Sequence, residues 1–242
     1  MRHKNLTLIG TSHVAKESLK EVTDVIEKQH PDIIALELDQ KRFYALTHNV
    51  KRKTRISDIK RVGVKGFLFN IIGAWIEEKV GKMVGVKPGS EMVTAIKLAK
   101  KYKIKLALID QDIELTLRRI SAELTRKERL RFVIDIFKGL LFKKSEMRKL
   151  GIKNLDLTKV PPKKLIKKLI GIMKKRYPGL YRVLVDERNK VMAHNLRQIM
   201  EKYPDKKIIA VIGAGHEQEI LNLIKSSHEI TYSFNIRNVY KQ

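Results

Sequence analysis

The chain has 242 residues, no cysteine, and 52 Lys or Arg against 26 Asp or Glu, a formal charge of +26. That length supports one domain with insertions, or two at most, and a hydrophobic fraction of 43% is enough for a packed core. Lack of cysteine excludes a disulfide framework and a thiolate metal site, and no apolar run approaches the ~20 residues of a membrane-spanning helix.

The charge is unevenly placed. Residues 41–105 hold 17 basic and 4 acidic residues, 138–182 hold 15 and 2, and the remainder holds 20 of each. Two basic blocks therefore interrupt a neutral core. A nucleic-acid surface interleaves basic residues with aromatics, which are sparse in these blocks, so nucleic acid is not an expected partner. A Lys-rich, cysteine-free composition equally suits a solvated face of a thermostable protein.

In chain order, Met1-Arg2-His3-Lys4 leads straight into a strand over Leu6–Ile9, so no secretory leader is expected and the expected location is cytoplasmic. Residues Ala15–Gln29 read as an amphipathic helix with Leu19, Val22 and Ile26 inward, stopped by Pro31. The nearly unbroken apolar run Ile33–Leu38 is typical of a parallel strand buried on both faces. It ends in Glu37-Leu38-Asp39, which a period of two puts on one side, with Arg42 close behind. After Asn49 a polar, basic stretch gives way to an apolar helix around Phe67–Ile76, and Ser90 reads as the N-cap of a helix over Glu91–Tyr102. A third strand, Leu106–Ile109, ends in Asp110-Gln111-Asp112, a second pair of carboxylates on one side. Ile113–Lys144 reads as helical throughout, 145–179 as a basic insertion punctuated by proline, and Tyr181–Met200 as a helix carrying Arg188 and Asn189. Ile208–Ile212 is a strand, Glu217–Ile224 a helix, and Ile230–Ile236 a closing strand.

One pattern occurs twice. Leu8-Ile9-Gly10-Thr11-Ser12-His13 and Val211-Ile212-Gly213-Ala214-Gly215-His216 each follow an apolar strand and precede a helix. A Gly at the strand end suits a sharp turn, and the His then sits at the mouth of the next helix. Two such units in one sheet aim both histidines at one edge. The expected fold is α/β: a central mixed, largely parallel sheet from two related strand–helix–strand halves, with basic helical insertions at about 41–105 and 113–200 in a single domain.

That edge collects His13, Glu37, Asp39, Asp110, Asp112 and His216. Imidazoles with carboxylates and no thiolate suit a divalent metal of the Mn, Fe, Co or Zn type. His13, Glu37 and His216 are the candidate ligands; a remaining carboxylate would act as base, and Arg188 would steady an oxyanion.

The chain resembles the TraB/PrgY pheromone-shutdown family. The residues that carry the likeness are Gly10-Thr11-Ser12-His13, 31–39 with Arg42, 88–92, 108–113 with 116–119, Asp186-Glu187-Arg188-Asn189 with Met192-Ala193, and Val211 to His216. They run in order through nearly the whole chain. The resemblance implies an α/β fold of two related halves, as in the wider group of erythromycin esterase and haem-binding ChaN. From Tiki-type relatives it implies metal-dependent peptide cleavage by His13, Glu37 and His216; Arg188 and Asn189 are expected to face the same cleft from a helix, in catalytic roles. Gly10, Ser12, Asp39, Arg42, Asp110, Asp112, Gly213 and Gly215 are then expected to line the substrate site. In three respects the chain departs from the family. Gln111 stands where an Arg is expected, Glu219 stands where a Gly is usual, and the sequence stops about 26 residues after His216, where many members continue into membrane helices.

Two functions are open on this basis, a metal-dependent hydrolase of a peptide or small ester or amide, or a non-catalytic module that sequesters a peptide or small ligand. The insertions pair short apolar helices, Phe67–Ile76 and Phe132–Phe142, with basic sequence. This allows peripheral contact with an anionic membrane. Burial is the stronger expectation, most of all against a second subunit in a homodimer.

Overall fold

The structure, a computed structural model, describes residues 1–11, 16–48, 58–84, 89–141 and 163–226. Five strands form one sheet: β1 (Arg2–His3), β2 (Leu6–Thr11), β3 (Ile33–Leu36), β4 (Lys105–Leu108) and β5 (Ile208–Gly213), in the order β1-β2-β5-β3-β4. β1 runs antiparallel to β2; the other pairings are parallel, so the sheet is mixed and mostly parallel. The expected strand over Ile230–Ile236 lies outside the described residues.

The helices are α1 (Lys16–Gln29), α2 (Gln40–Thr47), α3 (Ile59–Val84), α4 (Ser90–Lys101), α5 (Ile113–Glu123) and α6 (Arg126–Leu141). They continue with α7 (Lys163–Arg176), α8 (Pro178–Tyr181), α9 (Glu187–Lys202) and α10 (Glu217–Lys225), a π turn over Arg182–Asp186 joining α8 to α9. β5 is buried along its whole length, so its alternate side chains feed two cores. Ile208, Ala210 and Ile212 pack with Met192, Leu196 and Met200 of α9 and Ile220 and Ile224 of α10. Ile209 and Val211 pack with Val22 and Ile26 of α1 and Met92, Ala95 and Leu98 of α4. The sheet is thus covered on both faces, and β5 stands between β2 and β3 although it comes more than 170 residues after them in the chain. α4 and α9, which fall in the spans read as insertions, are themselves layers of this core.

A third cluster, Val62, Leu117, Ile120, Leu180 and Val183, joins α3, α5, α8 and the π turn beyond the sheet. α3 is broken at Gly63, whose φ of 74° an L side chain rarely adopts. Ser121 on α5 bridges the break: its hydroxyl donates to the Val62 carbonyl and accepts from the Gly66 N–H, both at 2.6 Å. A Cβ on Gly66 would collide with the Leu117 carbonyl oxygen, so the two helices meet backbone to backbone.

Two sequence-based expectations change. The helix read over Ile113–Lys144 is two helices, because Leu124 has extended φ/ψ and Thr125 and Glu128 start a new one. Their side chains and backbone N–H groups exchange hydrogen bonds at 3.0 and 3.2 Å, a capping box that the spacing Thr125-x-x-Glu128 already spelled out. Ser90 is the first residue of α4 and not its N-cap, a place taken by Gly89 at φ 77°. The basic stretch 145–179 contains the helix α7, in keeping with the helical insertion expected there. Of the apolar side chains expected to be buried on α3, Phe67 packs on the third cluster and Ile72 is partly buried, while Leu68 and Ile71 beside them are exposed. The side chain of Trp75 lies outside the described residues.

Candidate functional site

The parallel register pairs Thr11 with Gly213 and Leu36 with Val211, so β2, β5 and β3 end together at one edge. Gly10 and Gly213 both remain inside the ladder, so the turn expected at these glycines begins only after them. Gly10 is needed instead for close approach: a Cβ there would lie 3.0 Å from Glu217 Oε2 and 3.1 Å from the Ala214 Cα. Ser12 and His13 lie outside the described residues.

Glu37, one residue beyond β3, is 3% exposed and lies against the end of β5. Its Oε2 accepts from the Gly213 N–H at 2.5 Å, and its Oε1 accepts from the Arg188 guanidinium. Arg188 enters from the first turn of α9 and also donates to Asp110, Nε to Oδ1 at 3.1 Å and Nη2 to Oδ2 at 2.6 Å. Asp110 in turn accepts from Arg42, which donates from Nε to Asp39 Oδ2 at 2.7 Å. The result is a chain of buried charge, Asp39–Arg42–Asp110–Arg188–Glu37. Burial works against both guanidinium charges. The carboxylates of Glu37 and Asp110 outweigh it at Arg188, as those of Asp110 and Asp39 do at Arg42, and both pKa values stand above the ordinary one. These five groups sum to −1.

His216 stands beside the acid end of this chain. An Asn side-chain oxygen can only accept, so His216 Nδ1–H donates to Asn189 Oδ1, at 2.6 Å. That fixes the ring with Nε2 3.6 Å from Glu37 Oε1 and 3.5 Å from Arg188 Nη1. Asn189 is 1% exposed, and its Nδ2 has no hydrogen-bond partner among the described residues. A Cβ on Gly215 would stand 3.5 Å from Ile170 Cδ1, so α7 forms a wall of this edge.

The sequence pattern of the TraB/PrgY/gumN family matches residues 2–232. The chain belongs to that family. Among similar proteins, the uncharacterized protein MJ1365 of Methanocaldococcus jannaschii is 38% identical over 224 residues, covering 91% of this chain and 53% of that protein. TraB domain-containing proteins of Bos taurus and Homo sapiens are each 24% identical, covering 86% of this chain and 59% and 60% of their own length. This TraB-family chain therefore spans little more than half the length of these relatives.

Of the residues expected at the site of this TraB-family chain, Glu37, Arg188, Asn189, His216, Asp110, Arg42 and Gly213 come together through the contacts above. Asp39 and Asp112 are also helix N-caps: Asp39 accepts from the Lys41 and Arg42 N–H groups, and Asp112 from those of Glu114 and Leu115. Asp112 pairs with Lys41 at 2.9 Å; burial raises its pKa, but this lysine and the capped N–H groups prevail and lower it. Arg42 and Arg188 supply Asp110 with the positive charge that Gln111 does not, and Gln111 donates to Thr116 Oγ1 at 3.0 Å. Two neighbours went unread in the sequence. Glu217, 7% exposed, binds the Met1 amino group at 3.1 Å and abuts Gly10; an acid in the first turn after a motif His was its only signal. Ile170 had no signal, because a leucine- and isoleucine-rich helix does not say which loop it will cover.

A divalent ion is implied by the resemblance. Among the described residues no group of three His, Cys, Asp or Glu is placed to hold one. The pair His216 and Glu37 matches an ion in donor type and spacing, with the Arg188 guanidinium seated against the same two atoms. Two ligands each about 2.0–2.1 Å from a tetrahedral ion lie roughly 3.4 Å apart, close to the 3.6 Å between His216 Nε2 and Glu37 Oε1. His216 also has the bond to its far nitrogen that orients a metal-binding imidazole.

Proposed function

We propose that this TraB-family chain is a metal-dependent hydrolase acting on a peptide or a small ester or amide at the edge where β2, β5 and β3 end. The observation that carries the reading is the buried His216, held through Nδ1 by Asn189 and turned with Nε2 toward Glu37. His216 and Glu37, with His13 from the first motif, would hold the ion. When bound, such an ion supplies a Lewis acid that polarises a carbonyl and activates water.

The chain's own residues do the rest. Glu37 is anchored by the Gly213 N–H, so its position does not depend on a ligand. Asn189 keeps the proton on His216 Nδ1 and the lone pair on Nε2. Arg188, held by Asp110 through Nε and Nη2, is fixed with Nη1 on the His216 side, 3.3 Å from the Leu184 carbonyl, where it would donate to an oxyanion.

A second reading has its own support. The Arg188 guanidinium already neutralises Glu37 and reaches His216 Nε2, as it would in a metal-free cleft that sequesters a peptide or small ligand. Metal analysis of protein purified without chelator, with turnover measured on a panel of peptides and esters, separates the two. The hydrolase reading expects near-stoichiometric Mn, Co, Fe or Zn and activity that EDTA removes and added metal restores. It also expects His216→Ala to abolish turnover and Asn189→Ala to weaken metal binding or turnover about 10–100-fold. Activity that survives EDTA and His216→Ala ends the metal mechanism; ligand binding with no turnover leaves the sequestering reading.

A further inference from the structure

α3, α6 and α7 lie outside the two helical layers that cover the sheet, α7 touching its edge through Ile170, and share a composition that the hydrolase reading does not use. Together they carry 17 Lys or Arg and 4 Asp or Glu, an excess of 13 that is half the chain's net charge of +26. The same three helices expose aliphatic side chains at helical spacing. On α3 these are Val64, Leu68 and Ile71, at 59%, 53% and 42% exposure; on α6 they are Leu130 and Ile134, at 66% and 41%; on α7 it is Leu169, at 38%. Val64, Leu68 and Ile71 fall at i, i+4 and i+7, and Leu130 and Ile134 at i and i+4, so each set lies along one face of its helix. Exposed lysines flank them on α7, Lys167 and Lys168 beside Leu169, and Lys174 and Lys175 two turns on from that pair.

We infer that these helices rest on the surface of an anionic lipid bilayer. The mix of groups selects that occupant. Aliphatic side chains gain by entering the boundary between headgroups and acyl chains, and lysines around them gain from anionic headgroups. A nucleic acid would use the charge but not the aliphatic residues, because bases stack on aromatic rings, and the exposed large side chains on these faces are aliphatic among those described. A second copy would use the aliphatic residues but would bring two faces with the same large positive excess together. None of the described helices is long and apolar enough to cross a membrane, so the contact is one of lying on the surface. Ile170, the neighbour of Leu169, lies over Gly215, so docking through α7 would set the candidate site close to the bilayer surface. The inference does not depend on catalysis.

Co-sedimentation of the full 242-residue chain with vesicles tests it. With phosphatidylcholine vesicles containing about a quarter phosphatidylserine, most of the protein pellets at low salt. Binding falls at least about tenfold on pure phosphatidylcholine or in roughly 0.5 M NaCl. The exposed pair Leu68→Gln with Leu130→Gln lowers binding about tenfold with an unchanged circular-dichroism spectrum and melting temperature. A second variant, Lys167→Gln with Lys168→Gln, Lys174→Gln and Lys175→Gln, weakens binding to anionic vesicles with an unchanged circular-dichroism spectrum. The inference is overturned by absence of pelleting at low salt, by equal binding to neutral vesicles, or by undiminished binding of the leucine variant. It is also overturned if duplex DNA displaces the vesicles, or if sedimentation shows a dimer that the leucine substitutions dissociate.

Discussion

Asp110 is the residue on which the buried charge depends. Its side chain is wholly inaccessible and accepts from both Arg42 and Arg188, so it is the one carboxylate shared by the two cations. Removing a partner from a buried ion pair costs more than the pair itself contributes, because the remaining charge is left without solvent or counterion. Asp110→Asn keeps the shape and removes the charge. It is expected to destabilise the fold by about 3–5 kcal/mol, read from urea unfolding with an unchanged m-value. A loss below about 1 kcal/mol would show that Arg188 transfers its pairing wholly to Glu37. The sequence marked Asp110 and Arg188 for one site but left open whether they met, since they are 78 residues apart.

At the scale of the element, the start of α6 shows how one side chain can set two helix positions. Glu128 accepts from the Thr125 N–H at 3.0 Å and from its hydroxyl at 2.8 Å, and through its other oxygen from the Gly179 N–H of α8 at 2.7 Å. Burial pushes its pKa up, but these hydrogen bonds to the charged form prevail and hold it below 4.5. Because the folded value lies below the unfolded one, the stabilisation is complete above about pH 4.5 and is lost as pH falls through the folded value. Glu128→Gln should therefore be less stable than the parent at neutral pH, and the gap should narrow as pH drops below about 4.5. A gap that is constant with pH would mean the capping geometry matters and the charge does not. Melting temperatures of both proteins across that range provide the check.

For the whole molecule the dominant fact is a positive excess carried by helices outside the sheet. Such a charge repels itself in the compact state, and the repulsion is screened by salt. The melting temperature should rise by several degrees when NaCl goes from roughly 0.02 M to 0.5 M, because the Debye length contracts from about 20 Å to below 5 Å. A fall would mean that the ion pairs, such as Arg176 with Asp135 at 2.5 Å and Arg119 with Glu187 at 2.6 Å, outweigh the repulsion.

Much of this architecture was legible in the sequence by itself. Unbroken apolar runs marked β3 and β5 because strands buried on both faces need apolar side chains at every position, and Pro31 and the spacing of Val22 and Ile26 marked α1. The repeated Gly-x-x-His pattern pointed to one functional edge because parallel strands deliver their C-terminal loops to the same end of a sheet. Periodicity reports which face of an element is buried, but not what it is buried against. Only the tertiary structure decided that β5 enters between β2 and β3, which places the Gly213 N–H on Glu37 across 176 residues of sequence. It alone decided that Arg188 joins Glu37 to Asp110 and that Asn189 turns His216. Each of these contacts joins parts of the chain whose local patterns are independent, and long-range pairing is chosen by shape and charge once the sheet has closed around them.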